Sequence, residues 1–144
     1  MKTIIIQETD RDVLDLLTYA LELEHYQVYA LQETEVNFIQ LIDQTRPHVV
    51  ILDYMLTGKR CMEIFMEIKQ KFPHLPLIAL SCNHNINTVA IESGFDDYIP
   101  KPFDLDHLYL TLRKYIPNPM WQKTETENKL PDYGSLSLSV SRKS

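Results

Sequence analysis

Short apolar runs alternate along this chain with segments whose apolar residues recur every three or four positions, the pattern of βα units building a parallel sheet. Five such units can be read. The first strand, Thr3 to Gln7, leads into a helix with Val13, Leu16, Leu17, Ala20 and Leu21 at helical spacing and Thr9 or Asp10 as its N-cap. Gln27 to Leu31 is the second strand, and a helix from Glu35 to Gln44 carries Phe38, Leu41 and Ile42. After Pro47, the run His48-Val49-Val50-Ile51-Leu52-Asp53 is the third strand; a helix from Cys61 to Lys71 follows, with Met62 and Met66 expected in the core. Pro76 opens the fourth strand, and Asn85 to Ser93 leaves room for only a short helix before Gly94 stops it. The fifth strand centres on Tyr98, and Asp104 is placed to cap a last helix from Leu105 to Tyr115, which Pro117 and Pro119 end.

Beyond Pro117 the helical period stops and Ser, Thr, Lys and Glu dominate, so residues 117–144 read as a mostly disordered tail on a domain of residues 1–116. Within the tail, Leu136, Leu138 and Val140 alternate with serines in a way that also suits a strand added at a sheet edge. Trp121 has two destinations, the domain itself or a partner, and both stay open.

Composition narrows the function classes. Of 144 residues, 14 are basic and 20 acidic, a net charge of −6 with no basic stripe, which argues against direct binding to nucleic acid or anionic membrane. Cys61 and Cys82 match no metal or redox spacing, and the five histidines His25, His48, His74, His84 and His107 are scattered without zinc-ligand spacing. The opening apolar stretch ends at Gln7-Glu8, too soon for a signal peptide or membrane span, and a cytoplasmic location is expected.

The polar residues that close the strands hold the candidate chemistry. Glu8 follows Ile4-Ile5-Ile6, Asp53 ends the third strand, Ser81 follows Leu77-Ile78-Ala79-Leu80, and Lys101 follows Asp97-Tyr98-Ile99-Pro100. In an open parallel sheet, sites gather at the carboxyl ends of strands where strand order reverses. A carboxylate, a hydroxyl and an ammonium gathered there make a small anion-handling site. A flavin or nucleotide binder would instead need a glycine-rich loop after the first strand, which is lacking.

Three stretches carry a family resemblance: Val49 to Gly58, Leu77 to Ser81, and Gly94-Phe95-Asp96-Asp97-Tyr98-Ile99-Pro100-Lys101-Pro102-Phe103. Over residues 2 to 116 the chain resembles the receiver domain of two-component response regulators. The resemblance implies a flavodoxin-like, doubly wound α/β fold with five parallel strands in the order 2-1-3-4-5. It makes Asp53 the phosphoacceptor, phosphorylated by a histidine kinase or phosphotransfer protein, Ser81 the hydroxyl residue and Lys101 the lysine that meet the phosphoryl group, and Tyr98 the aromatic switch. It implies a cis Lys101-Pro102 bond. It implies Mg²⁺ held by Glu8, Asp53 and the backbone carbonyl of Met55, with Asp10 as an alternative ligand. Enzymatic activity would extend at most to self-phosphorylation from phosphodonors and slow autodephosphorylation. The domain would signal in trans to an output protein, and a homodimer through the fourth helix, fifth strand and fifth helix is the mode the family implies.

The pattern is broken at Thr9, which stands where the family has its direct metal-binding aspartate. Thr9 cannot supply that charge, so Mg²⁺ binding is expected to be weak. The alternative is a pseudo-receiver, an interaction module that works without metal or phosphorylation. Thr57 replaces a usual proline and Cys61 a usual glycine, and the stretch from Ser81 to Gly94 is short, which weakens the borrowed dimer mode.

Overall fold

The computed structural model describes residues 1–55, 58–82 and 92–117. Five strands, β1 (Thr3–Gln7), β2 (Gln27–Leu31), β3 (Val49–Asp53), β4 (Leu77–Ser81) and β5 (Asp97–Pro100), form one sheet. All neighbouring pairs are parallel and the order is β2-β1-β3-β4-β5, as expected. The described helices are α1 (Arg11–Leu23), α2 (Phe38–Thr45), α3 (Lys59–Lys71) and α4 (Leu105–Tyr115).

The strands read as unbroken apolar runs because both faces of the sheet are covered. On one face Ile5, Val50, Leu52, Leu77 and Ala79 pack with Phe38 and Ile42 of α2 and Ile64, Phe65 and Ile68 of α3. On the other, Ile4, Ile6, Val49, Ile51, Ile78 and Leu80 pack with Leu14, Leu17 and Leu21 of α1 and Leu108 and Leu112 of α4. The three central strands are buried throughout, whereas the edge strands β2 and β5 are only partly so.

Helix ends follow their caps. Asp10, not Thr9, starts α1: its carboxylate accepts from Asp12 N and Val13 N. The second helix begins at Phe38 rather than Glu35 because the Asn37 side chain accepts from Gln40 N and ends the preceding loop there. Asp104 caps α4 through His107 N, as its position suggested. The third helix begins at Lys59, ahead of the expected Cys61, and its N-cap Gly58 lies at φ 78°. Met66 is a correction: it is 64% exposed on α3, while Met62 packs against the core. The short helix expected between Asn85 and Ser93 falls outside the described residues except for Glu92 and Ser93, which are helical; the tail beyond Pro117, with Trp121 and the alternating segment Leu136 to Val140, falls outside them.

Gly58 packs against the Tyr54 ring. A Cβ built there would lie 2.1 Å from Tyr54 Cζ and 2.5 Å from its hydroxyl, and the positive φ already disfavours any side chain. Gly58→Ala is therefore expected to cost about 2–4 kcal/mol, left-handed strain adding to overpacking. Urea denaturation measures it. In a Tyr54→Ala background, itself less stable for the loss of a core ring, Gly58→Ala should cost only the backbone penalty, read as a double-mutant cycle.

Candidate functional site

Sheet register brings the polar strand ends together. Gln7 pairs with Leu52, so Glu8 and Asp53 emerge side by side from β1 and β3, the point at which strand order reverses. Ser81 pairs with Pro100, which sets Lys101 just past Ser81, and Lys101 N donates to Ser81 O at 2.8 Å. The Lys101-Pro102 bond is cis.

Lys101 is the centre of charge. Its Nζ lies 2.9 Å from Glu8 Oε1 and 3.3 Å from Asp53 Oδ1. Glu8 is fully buried and Asp53 is 3% exposed, so two carboxylates share one ammonium in a cleft with little water. The second oxygen of Glu8 accepts from Asp10 N at 2.8 Å. Burial holds the Glu8 carboxyl above its usual range, and the Asp53 charge adds to this, while the Asp10 amide and Lys101 pull the other way. Burial would lower the Lys101 pKa, but its hydrogen bond to Glu8 and the charges of Asp53 and Glu8 together outweigh that and raise it.

Asp53 is fixed by backbone donors as well. Thr9 N donates to Oδ2 at 3.1 Å and Met55 N to Oδ1 at 3.2 Å, and Met55 reaches this geometry at φ 45°. No sequence pattern could have revealed these two contacts, because every residue but proline carries an N–H. The Thr9 hydroxyl donates to Met55 Sδ at 3.1 Å.

The other expected residues are placed as follows. Ser81 is buried at the end of β4, one strand away from Asp53, whose register partner is Leu80. Tyr98 is half-buried on β5, with its ring edge-on to His107 at a centroid distance of 6.2 Å. Asp10 does not turn toward Asp53: its carboxylate serves as the α1 cap. The Met55 carbonyl accepts from Gly58 N at 2.6 Å. Cys61 is fully buried, and burial followed by the Asp53 charge pushes its thiol up to about 12; Cys82 is exposed.

Glu8, Asp53 and the Met55 carbonyl are oxygen donors of the class Mg²⁺ prefers. Among the described residues no group of three or more His, Cys, Asp and Glu side chains is gathered in a way that could hold a metal ion. Both carboxylates are already engaged, Glu8 by Lys101 and the Asp10 amide, Asp53 by Lys101 and the Thr9 and Met55 amides, so a cation would compete with Lys101 for them.

The model of the response regulator receiver domain family matches residues 4–113. The chain belongs to that family. It is accordingly a domain of two-component signal transduction. The receiver domain of NtrX from Brucella abortus is 29% identical, covering 78% of this chain and 96% of its own, with a TM-score of 0.68. The N-terminal signal receiver domain of a two-component response regulator from Bacteroides fragilis is 27% identical, with coverages of 80% and 96% and a TM-score of 0.71. The response regulator TrrA from Thermotoga maritima, solved in complex with Mg(2+)-BeF, shares the fold at 23% identity, coverages of 81% and 100%, and a TM-score of 0.70. No helix among the described residues of this receiver is long and apolar enough to cross a membrane.

Proposed function

We propose that this receiver takes a phosphoryl group on Asp53 from a histidine kinase or phosphotransfer protein and signals in trans to an output protein. The supporting observation is the setting of Asp53: a carboxylate at the reversal point of the sheet, steered by two backbone N–H groups and facing the Lys101 ammonium. An Asp53 oxygen attacks phosphorus, forming the new O–P bond as the bond to the donor breaks. Lys101 moves from the Asp53 carboxylate to the phosphoryl oxygens, and the Ser81 hydroxyl meets another of them. Glu8 keeps Lys101 in place through this change. Asp53, Glu8 and the Met55 carbonyl would hold Mg²⁺, which would supply charge neutralisation at the phosphoryl oxygens. Tyr98 is the switch on β5 that follows Ser81, and a homodimer across β5, α4 and the segment from Asn85 to Ser93 is a further partner arrangement of this reading.

The test is incubation with acetyl phosphate and Mg²⁺ followed by intact-mass spectrometry. A Mg²⁺-dependent gain of one phosphoryl group is expected; no gain refutes the reading.

One observation favours the pseudo-receiver as a second reading. Thr9 offers no carboxylate, and its hydroxyl is turned to the Met55 sulfur. Metal titration separates the two. Thr9→Asp restores a charged ligand beside Asp53 and is expected to tighten Mg²⁺ by about tenfold or more, equivalent to about 1.4 kcal/mol, with faster phosphoryl uptake. Unchanged Kd and rate would mean the cleft is not a metal site.

A further inference from the structure

Helix α1 presents three large apolar side chains to solvent: Leu16 at 57%, Tyr19 at 63% and Leu23 at 57% exposure. Their spacing of three and four places them along one side of the helix. Ala20 locates that side. It is buried, its carbonyl accepts from Tyr109 of α4 at 2.9 Å, and Leu16 and Leu23 lie four positions before and three after it. The stripe therefore borders the seam between α1 and α4.

The chain leaves the described structure at the same place. Arg113 Nη2 lies 3.8 Å from Glu24 Oε1, which sets the last turn of α4 beside the end of α1, and Ile116 is buried in the core that both helices share. The sequence continues Pro117-Asn118-Pro119-Met120-Trp121, with the one tryptophan of the chain. Four extended residues reach roughly 13 Å, and the stripe from Leu23 back to Leu16 runs about 10 Å at 1.5 Å per residue. Prolines at 117 and 119 favour an extended path, so little chain entropy opposes it. Lys123 follows, opposite in sign to Glu22 on the same helix.

We infer that the segment Pro119 to Trp121 folds back along α1 and seats the Trp121 indole on Tyr19 and Leu23, covering the stripe. An indole can shield a large apolar area there with its N–H left toward solvent. The occupant is the chain's own tail, because it starts at the lower end of the stripe and carries the aromatic residue within reach.

The single tryptophan makes the test direct. In the intact protein, red-edge-excited emission should be blue-shifted and acrylamide quenching weaker than in the urea-unfolded chain. Leu23→Ser and Tyr19→Ser alter exposed positions and should leave far-UV circular dichroism unchanged, while each moves emission and quenching toward the unfolded values. Unfolded-like emission in the intact protein would overturn the inference and leave the stripe to a partner. Protection that survives both substitutions would place Trp121 elsewhere, and protection that grows with protein concentration would assign the stripe to a second copy; either overturns it.

Discussion

Asp53→Asn is expected to abolish phosphoryl uptake from acetyl phosphate while the protein stays folded. The asparagine keeps an oxygen for the Met55 and Lys101 donors but loses the charge to which the proposed function assigns the attack on phosphorus. Stability should not suffer. In the native cleft two buried carboxylates face one ammonium, and removing one negative charge leaves Glu8 and Lys101 as a balanced pair. Like charges roughly 4 Å apart repel by about 4 kcal/mol at an effective dielectric of 20, so relief of part of this offsets the loss of the Asp53 contacts. Intact mass after incubation, alongside urea denaturation, checks both halves. Labelling that persists in the variant would move the acceptor to another residue. The Glu8 carboxyl offers an independent reading: its pKa is raised by burial and further by Asp53, so it should fall in the variant, measurable by carboxyl NMR titration.

Lys101→Met is expected to give the largest loss of stability at this site. It leaves Glu8 and Asp53 buried without the ammonium they share, and breaking a buried pair in this way costs about 3–5 kcal/mol. The lower end applies, since the Lys101 side chain is 16% exposed and water can reach the vacated space. The loss depends on pH with a definite sign. Burial already holds the Glu8 carboxyl above the usual carboxylate range, and without Lys101 it should rise further. A carboxyl raised in the folded state adds stability below its unfolded pKa, and that contribution is lost as pH rises through the folded one. The variant should thus approach the native protein in urea midpoint as pH is lowered from neutral through the raised Glu8 pKa, and differ most above that pKa. A second substitution, Glu8→Gln, should restore part of the loss at pH 7. An equal deficit at every pH would show that packing, not uncompensated charge, is the cause.

The alternation of apolar runs and helical segments was enough to place most elements in a parallel sheet, because three central strands covered on both faces read as unbroken apolar runs, whereas the strand order came from the family resemblance. Glu8, Asp53, Ser81 and Lys101 were legible for a related reason: in a parallel sheet the residue that ends an apolar run lies at the carboxyl edge. What stayed hidden depends on backbone and on caps. The N–H groups of Thr9 and Met55 have no side-chain signature. Asn37 shortens α2 and Gly58 lengthens α3 through conformations that periodicity does not encode. Met66 follows the apolar period yet lies on the open side of α3, since hydrophobic spacing marks faces without saying how far around the helix the core extends.

Residue 9 holds Asp53 by its amide and not by its side chain. The two tasks at this position are thus separable in evolution. Any residue but proline can donate that N–H, so the charge at position 9 can change with the side chain while the Asp53 carboxylate stays in place. A lineage could pass between metal-dependent and metal-indifferent receivers through folded intermediates, and position 9 is where that history would be written.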